Sequence, residues 1–68
     1  MRISARNLLK GTIKSVNKGA TTAHVVLDIG GATVTASITN QAVDELKLES
    51  GKAAYAVIKA SDVMIAID

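Results

Sequence analysis

The sequence predicts an all-β fold, a small barrel of five strands with one short helix after the third strand. Apolar and polar residues alternate along most of the chain, which is typical of half-buried strands. A Gly-Gly pair and short polar clusters separate these segments at the intervals expected of hairpin turns. One segment after residue 39 instead has apolar residues three positions apart, which indicates a helix.

The first three strands follow in order along the chain. Residues 9–16 predict a strand in which Ile13 and Val16 have opposite parity, so we expect a bulge or a bend near Gly11. Residues 23–29 and 33–39 both alternate, and Gly30-Gly31 between them predict a tight hairpin turn.

The helix is predicted over residues 40–46. Thr39 or Asn40 can cap it, Val43 and Leu46 share a face, and Gly51 marks the turn beyond its end.

Two further strands, residues 53–59 and 63–67, complete the predicted barrel of the oligonucleotide/oligosaccharide-binding-like (OB-like) type. The last one shows no alternation, so both of its faces require burial, whereas a barrel of this size offers one interior face. We therefore expect its second face to contact a partner subunit. The alternative is an apolar terminus that folds over its own domain.

Composition points to one small domain, residues 1–68, that needs help to become stable. The 68 residues include no Cys and a single His, His24, so neither a disulfide nor a zinc cluster is expected, and oligomerisation is the remaining route. No signal-like or membrane-spanning apolar run is present, so we expect a cytoplasmic protein without a membrane partner. All six acidic residues fall from Asp28 onward, which leaves the N-terminal part basic and attractive to anions, unless that face serves only solubility.

Two polar clusters carry the chemistry. Ser4-Ala5-Arg6-Asn7 and Ile58-Lys59-Ala60-Ser61 offer hydrogen-bond donors and positive charge with no carboxylate among them. In an extended segment Ser4 and Arg6 share a face, and Lys59 could complete the shell from another strand. From these residues alone we predict a site for a small anion.

The whole chain resembles the molbindins, small molybdate-binding proteins built from a single Mop domain of the TOBE type. The resemblance is carried by Ile3–Gly11, Ser37–Thr39, Asp44–Lys52 and Ala56–Ile65, which keep the family's order and spacing. It implies the OB-like fold and a free-standing domain that binds molybdate, and tungstate as well, for intracellular molybdenum storage and homeostasis. It also implies a homohexamer arranged as a trimer of dimers, with no separate cofactor.

In the family pattern the positions matching Ser4, Arg6, Lys59, Thr39 and the backbone of Ala60 line the anion site between subunits. A hydroxyl at the start of the predicted helix would also lie where the helix dipole favours negative charge. The hydroxyl of Ser61 fits the same donor set, although this residue could equally shape a turn.

A second candidate anion site is Lys18-Gly19-Ala20-Thr21. Glycine lets backbone N–H groups approach a ligand, although a plain hairpin turn would have the same residues.

Other classes of function find less support. The sequence lacks three signatures that would indicate an enzyme: a nucleophile with a base, a Walker-type loop, and a pair of carboxylates near the basic cluster. The main alternative is an OB-like single-stranded nucleic-acid-binding protein, but such proteins stack bases on aromatic residues, and Tyr55 is the only one. We expect no nucleic-acid partner. A third alternative is an interaction module that docks its apolar last strand on another protein.

Overall fold

A computed structural model describes all 68 residues. The elements in chain order are β1 (Asn7–Lys18), β2 (Thr22–Asp28), β3 (Thr33–Thr39), α1 (Asn40–Leu46) and β4 (Ala53–Ile58), followed by a 3-10 turn (Ala60–Asp62). The strands form one curled antiparallel sheet in the order β3-β2-β1-β4. This confirms the predicted all-β, OB-like class.

The β2–β3 hairpin is formed as predicted. Its pairing runs from Asp28 opposite Thr33 to Thr22 opposite Thr39. Gly30 and Gly31 have φ values of 88° and 90°, a conformation that side chains with a Cβ rarely adopt, so the turn requires these glycines.

Strand β1 is longer than predicted, and its irregularity lies further along than expected. Ile13 pairs with Leu27 but Ser15 pairs with Val26, so Lys14 is the extra residue of a bulge. Gly11 has another role, because a Cβ at this position would lie 2.4 Å from the carbonyl oxygen of Asp28.

The helix is also confirmed. The Thr39 hydroxyl caps α1 by accepting the N–H of Ala42 at 3.0 Å, and Lys47 ends the helix in the left-handed conformation. Val43 is buried, whereas Leu46 is 66% exposed. No helix of the chain combines the length and apolarity needed to cross a bilayer.

The predicted fifth strand over residues 63–67 is wrong for the single chain. After the 3-10 turn the backbone pairs with neither edge of its own sheet, and without a ladder partner a strand cannot form. Met64, Ile65 and Ile67 are 92%, 87% and 93% exposed. The apolar tail therefore does not fold over its own domain either.

The core is small and the barrel is open. Five residues are buried: Ile13, Ala23, Val25, Leu27 and Val43. A mainly apolar cavity of about 710 Å³ extends from the core to both edge strands, where Ala36 of β3 and Ala56 of β4 are among its lining residues. One chain thus leaves much of its apolar surface uncovered.

Candidate anion-binding site

Pairing between β1 and β4 brings the two predicted donor clusters to one end of the sheet. Asn7 lies opposite Ile58, and the strands are antiparallel. The residues that precede Asn7 therefore lie at the same end as the residues that follow Ile58. Clusters more than fifty positions apart in sequence become neighbours in this way.

A side-chain bond fixes this juncture. The Asn7 amide Nδ2 donates to the Ile58 carbonyl oxygen at 3.2 Å, which ties the start of β1 to the end of β4. Ser4 and Arg6 lie in the segment just before β1, and Lys59 precedes the 3-10 turn that contains Ala60 and Ser61.

The donors of this cluster are free to meet a ligand. The two ion pairs of the chain use Lys18 and Lys52, so Arg6 and Lys59 carry uncompensated positive charge. The side chains of Ser4, Arg6, Lys59 and Ser61 make no hydrogen bond within the chain, and all four residues are exposed. We call Ser4, Arg6, Lys59, Ala60 and Ser61 the N-terminal donor cluster.

Thr39, which the sequence assigned to the same site, lies at the other end of the sheet. It pairs with Thr22 at the start of β2, and β2 begins beside Lys18 at the end of β1. The twelve-residue β1 runs between these two ends, in a domain whose longest dimension is 34 Å. One chain therefore does not bring Thr39 to its own N-terminal donor cluster.

The capping bond of Thr39 prepares its hydroxyl to donate. Because the oxygen accepts the N–H of Ala42, the hydroxyl proton is directed elsewhere and remains available to an acceptor.

The second candidate site, the loop Lys18-Gly19-Ala20-Thr21, lies beside Thr39 at this end of the sheet. The N–H groups of Ala20 and Thr21 donate to no other group of the chain. Lys18 is less available than the sequence suggested, because its ammonium pairs with the carboxylate of Asp44 on α1. Both side chains are about half exposed or more, so water screens this pair.

The sequence predicts Asn40 only as a possible helix cap, but the structure gives it two further contacts. Its backbone N–H donates to the Thr21 carbonyl and its Nδ2 to the Gly19 carbonyl, both at 2.9 Å. The sequence shows a polar amide directly after the capping threonine, but it does not show that this amide bonds to a turn about twenty residues earlier.

A depression of about 450 Å³ beside α1 does not match the donor-only chemistry. Its lining includes the carboxylates of Asp44 and Glu49 as well as the ammonium groups of Lys18 and Lys47. Acids at this position would repel an anion.

These features describe a small β-barrel with a donor-only polar cluster, and comparison with known proteins agrees. The TOBE domain family model matches residues 3–65. "Probable molybdenum-pterin-binding protein" of Haemophilus influenzae is 51% identical over 69 residues and covers 100% of both chains.

Two solved structures are also similar. A molybdate-binding protein from Sporomusa ovata has a TM-score of 0.93 and 36% identity, covering 98% of this chain and 100% of its own. The cytoplasmic molybdate-binding protein ModG, solved with molybdate bound, has a TM-score of 0.89 and 48% identity; the match covers 94% of this chain and 46% of ModG.

This chain belongs to the TOBE domain family, and within that class it is a domain of the Mop, or molbindin, type. The relatives from Haemophilus influenzae and Sporomusa ovata are named as binding proteins.

Proposed function

We propose that this protein binds the molybdate dianion, and tungstate as well, in a site shared between subunits. The observation that carries the proposal is the β1–β4 pairing, which gathers two unpaired cations, Arg6 and Lys59, with two hydroxyl groups at one end of the sheet. The names of the relatives supply the identity of the anion.

The donor set fits this ligand chemically. A tetrahedral dianion offers four acceptor oxygens and no donor, so its best host supplies donors only. The planar guanidinium of Arg6 can give two directed bonds, and the Lys59 ammonium adds charge. Hydrogen phosphate would be disfavoured at neutral pH, since its proton needs an acceptor and the cluster offers only its serine hydroxyls and no carboxylate. Tungstate has the same charge and shape as molybdate and should be accepted.

The shared site requires a second copy of the chain. Thr39 lies at the opposite end of β1 from the N-terminal donor cluster, so its hydroxyl can join a cluster only from a partner subunit. We infer a homohexamer built as a trimer of dimers, the arrangement that the family resemblance implies.

Uncovered apolar surface supports assembly independently. The cavity reaches the free edges of β3 and β4, and the tail beyond Val63 projects from the domain with the side chains of Met64, Ile65 and Ile67 almost fully exposed. Five extended residues span roughly 17 Å, which is close to the length of the six-residue β4. The tail of one subunit would fit the open side of another as the missing strand.

The biological role that follows is storage and homeostasis of molybdenum in the cytoplasm. A protein that assembles around several anions can hold them at high local concentration without chemical conversion. The similar protein ModG is described as cytoplasmic. The Lys18–Thr21 loop would add a second, weaker anion site, because its backbone donors lie next to an ion-paired lysine.

Calorimetric titration tests the proposal. The purified protein is titrated with sodium molybdate, sodium tungstate and sodium sulfate at equal ionic strength. We expect saturable binding of the first two anions and much weaker binding of sulfate. Equal heats with all three anions, or none with molybdate, would overturn the proposal.

A further inference from the structure

We infer that Asn40 is a positioning residue that shapes the Lys18–Thr21 loop for anion binding. This inference rests on the proposed function, since it concerns the second anion site. Asn40 contacts the loop backbone and acts on the anion only through the loop.

Asn40 occupies carbonyl oxygens of the loop that would otherwise face an anion. A backbone turn presents both N–H donors and C=O acceptors, and the acceptors would repel an anion. Asn40 engages two of them, because its backbone N–H takes the Thr21 carbonyl and its Nδ2 takes the Gly19 carbonyl, both at 2.9 Å. The N–H groups of Ala20 and Thr21 are left without partners in the chain.

The orientation of the Asn40 side-chain amide is fixed by its bond to the loop. If the amide of Asn40 were turned over, its oxygen would face the Gly19 carbonyl oxygen, and two acceptors would repel each other. The observed hydrogen bond therefore fixes the NH2 group toward the loop. The Thr39 hydroxyl is held separately, by the N–H of Ala42, so loss of the Asn40 amide leaves that hydroxyl in place.

The Asn40 amide contributes little to the folding stability of the single chain. Its oxygen Oδ1 is buried and has no hydrogen-bond partner. A buried acceptor without a partner costs more than an ordinary hydrogen bond contributes, so the amide gives the single chain little or no net stability. Its effect is on the geometry of the loop.

The test compares Asn40→Ala with Gln41→Ala, which removes the neighbouring amide and its surface bond to Glu45. Binding is followed residue by residue in ¹⁵N-labelled protein, by adding molybdate and recording the amide signals of Ala20 and Thr21 in the loop and of Ala60 in the N-terminal donor cluster. Melting temperatures are measured without molybdate.

We expect Asn40→Ala to need about tenfold more molybdate to shift the loop signals, the value of one well-made hydrogen bond. The Ala60 signal should respond at the parent's concentration, and the melting temperature should stay close to the parent's. Gln41→Ala should match the parent at all three signals.

Three results would overturn the inference. The loop signals of Asn40→Ala could follow the parent's titration, or both sites could weaken together with a lower melting temperature, which would show a merely structural role. The parent's loop could also fail to respond while Ala60 does, which would leave the molybdate site standing. If no signal of the parent responded, the proposed function itself would fail.

Discussion

Replacing Arg6 by alanine tests the N-terminal donor cluster at its strongest member. In the free chain this guanidinium makes no ion pair and no hydrogen bond, so its removal disturbs no polar contact of the folded domain. We therefore expect the loss to fall on the bound state alone, with the melting temperature of the ligand-free protein unchanged.

The size of the loss follows from the bonds that the fork can form. Hydrogen bonds to charged groups contribute about 1.5–3 kcal/mol each, and a guanidinium can make two to one dianion. Water that enters the space left by the side chain can bond to the anion and so recovers part of this binding free energy. We expect Arg6→Ala to cost ~2–4 kcal/mol, roughly a thirty- to thousandfold loss of affinity. Arg6→Lys should recover only part of it, and Ser4→Ala should cost about 1 kcal/mol.

Arg2→Ala is the matched control. It removes the same charge from the same exposed N-terminal segment, so it reports long-range electrostatics without the directed contact. Calorimetric titration with molybdate ranks the variants, after sedimentation has shown that each assembles like the parent. If Arg6→Ala binds as tightly as Arg2→Ala, the anion site lies elsewhere and the reasoning is refuted.

Three further predictions concern the assembly, the second site and the fold. Ile65→Asp should dissociate or unfold the assembly, because it places an unpaired charge in the tail that we propose to be buried between subunits; sedimentation velocity measures this. Asp44→Asn should tighten anion binding at the loop severalfold, since it removes a negative charge and frees the lysine that it pairs with, whereas Glu45→Gln removes an equal charge and should do less. Gly11→Ala should lower unfolding free energy by about 1–3 kcal/mol in thermal melts, because its Cβ would collide with the Asp28 backbone oxygen.

Each of these has a control and a contradicting result. His24→Asp adds the same charge at an exposed position of β2, a strand that is paired on both edges, so equal dissociation by both variants would rule out a specific role for the tail. Equal anion binding by Asp44→Asn and Glu45→Gln would mean that the Asp44–Lys18 pair does not weaken binding at the loop. Gly19→Ala meets one backbone atom at 3.0 Å, so it should cost less than Gly11→Ala, and the reverse order would contradict the packing argument.

Local sequence predicted the elements whose determinants are local. The β2–β3 hairpin follows from alternation and from glycines that tolerate positive φ, and α1 follows from the Thr39 cap and the buried Val43. The bulge was placed near Gly11 rather than at Lys14, because parity shows that an irregularity exists between two residues but not where the partner strand accommodates it.

The structure of residues 63–67 and of the anion site depends on segments far away in the sequence, so the local sequence pattern could not predict them fully. The lack of alternation in residues 63–67 predicts burial, but within one chain no edge is available to this segment and it stays exposed. The donor clusters were recognisable by residue type, whereas their meeting depends on the β1–β4 register. The separation of Thr39 from Arg6 within one chain depends on strand direction, which composition does not encode.

Native mass spectrometry with and without molybdate tests the central claim most directly, since it reports the number of subunits and the bound anions together. The claim is that one chain holds two separated parts of a site that assembly joins. We expect a hexamer that gains discrete molybdate masses, and we expect any monomer in the same spectra to carry none. A monomer that binds molybdate as readily as the assembly, or an assembly that never gains the anion, would contradict it.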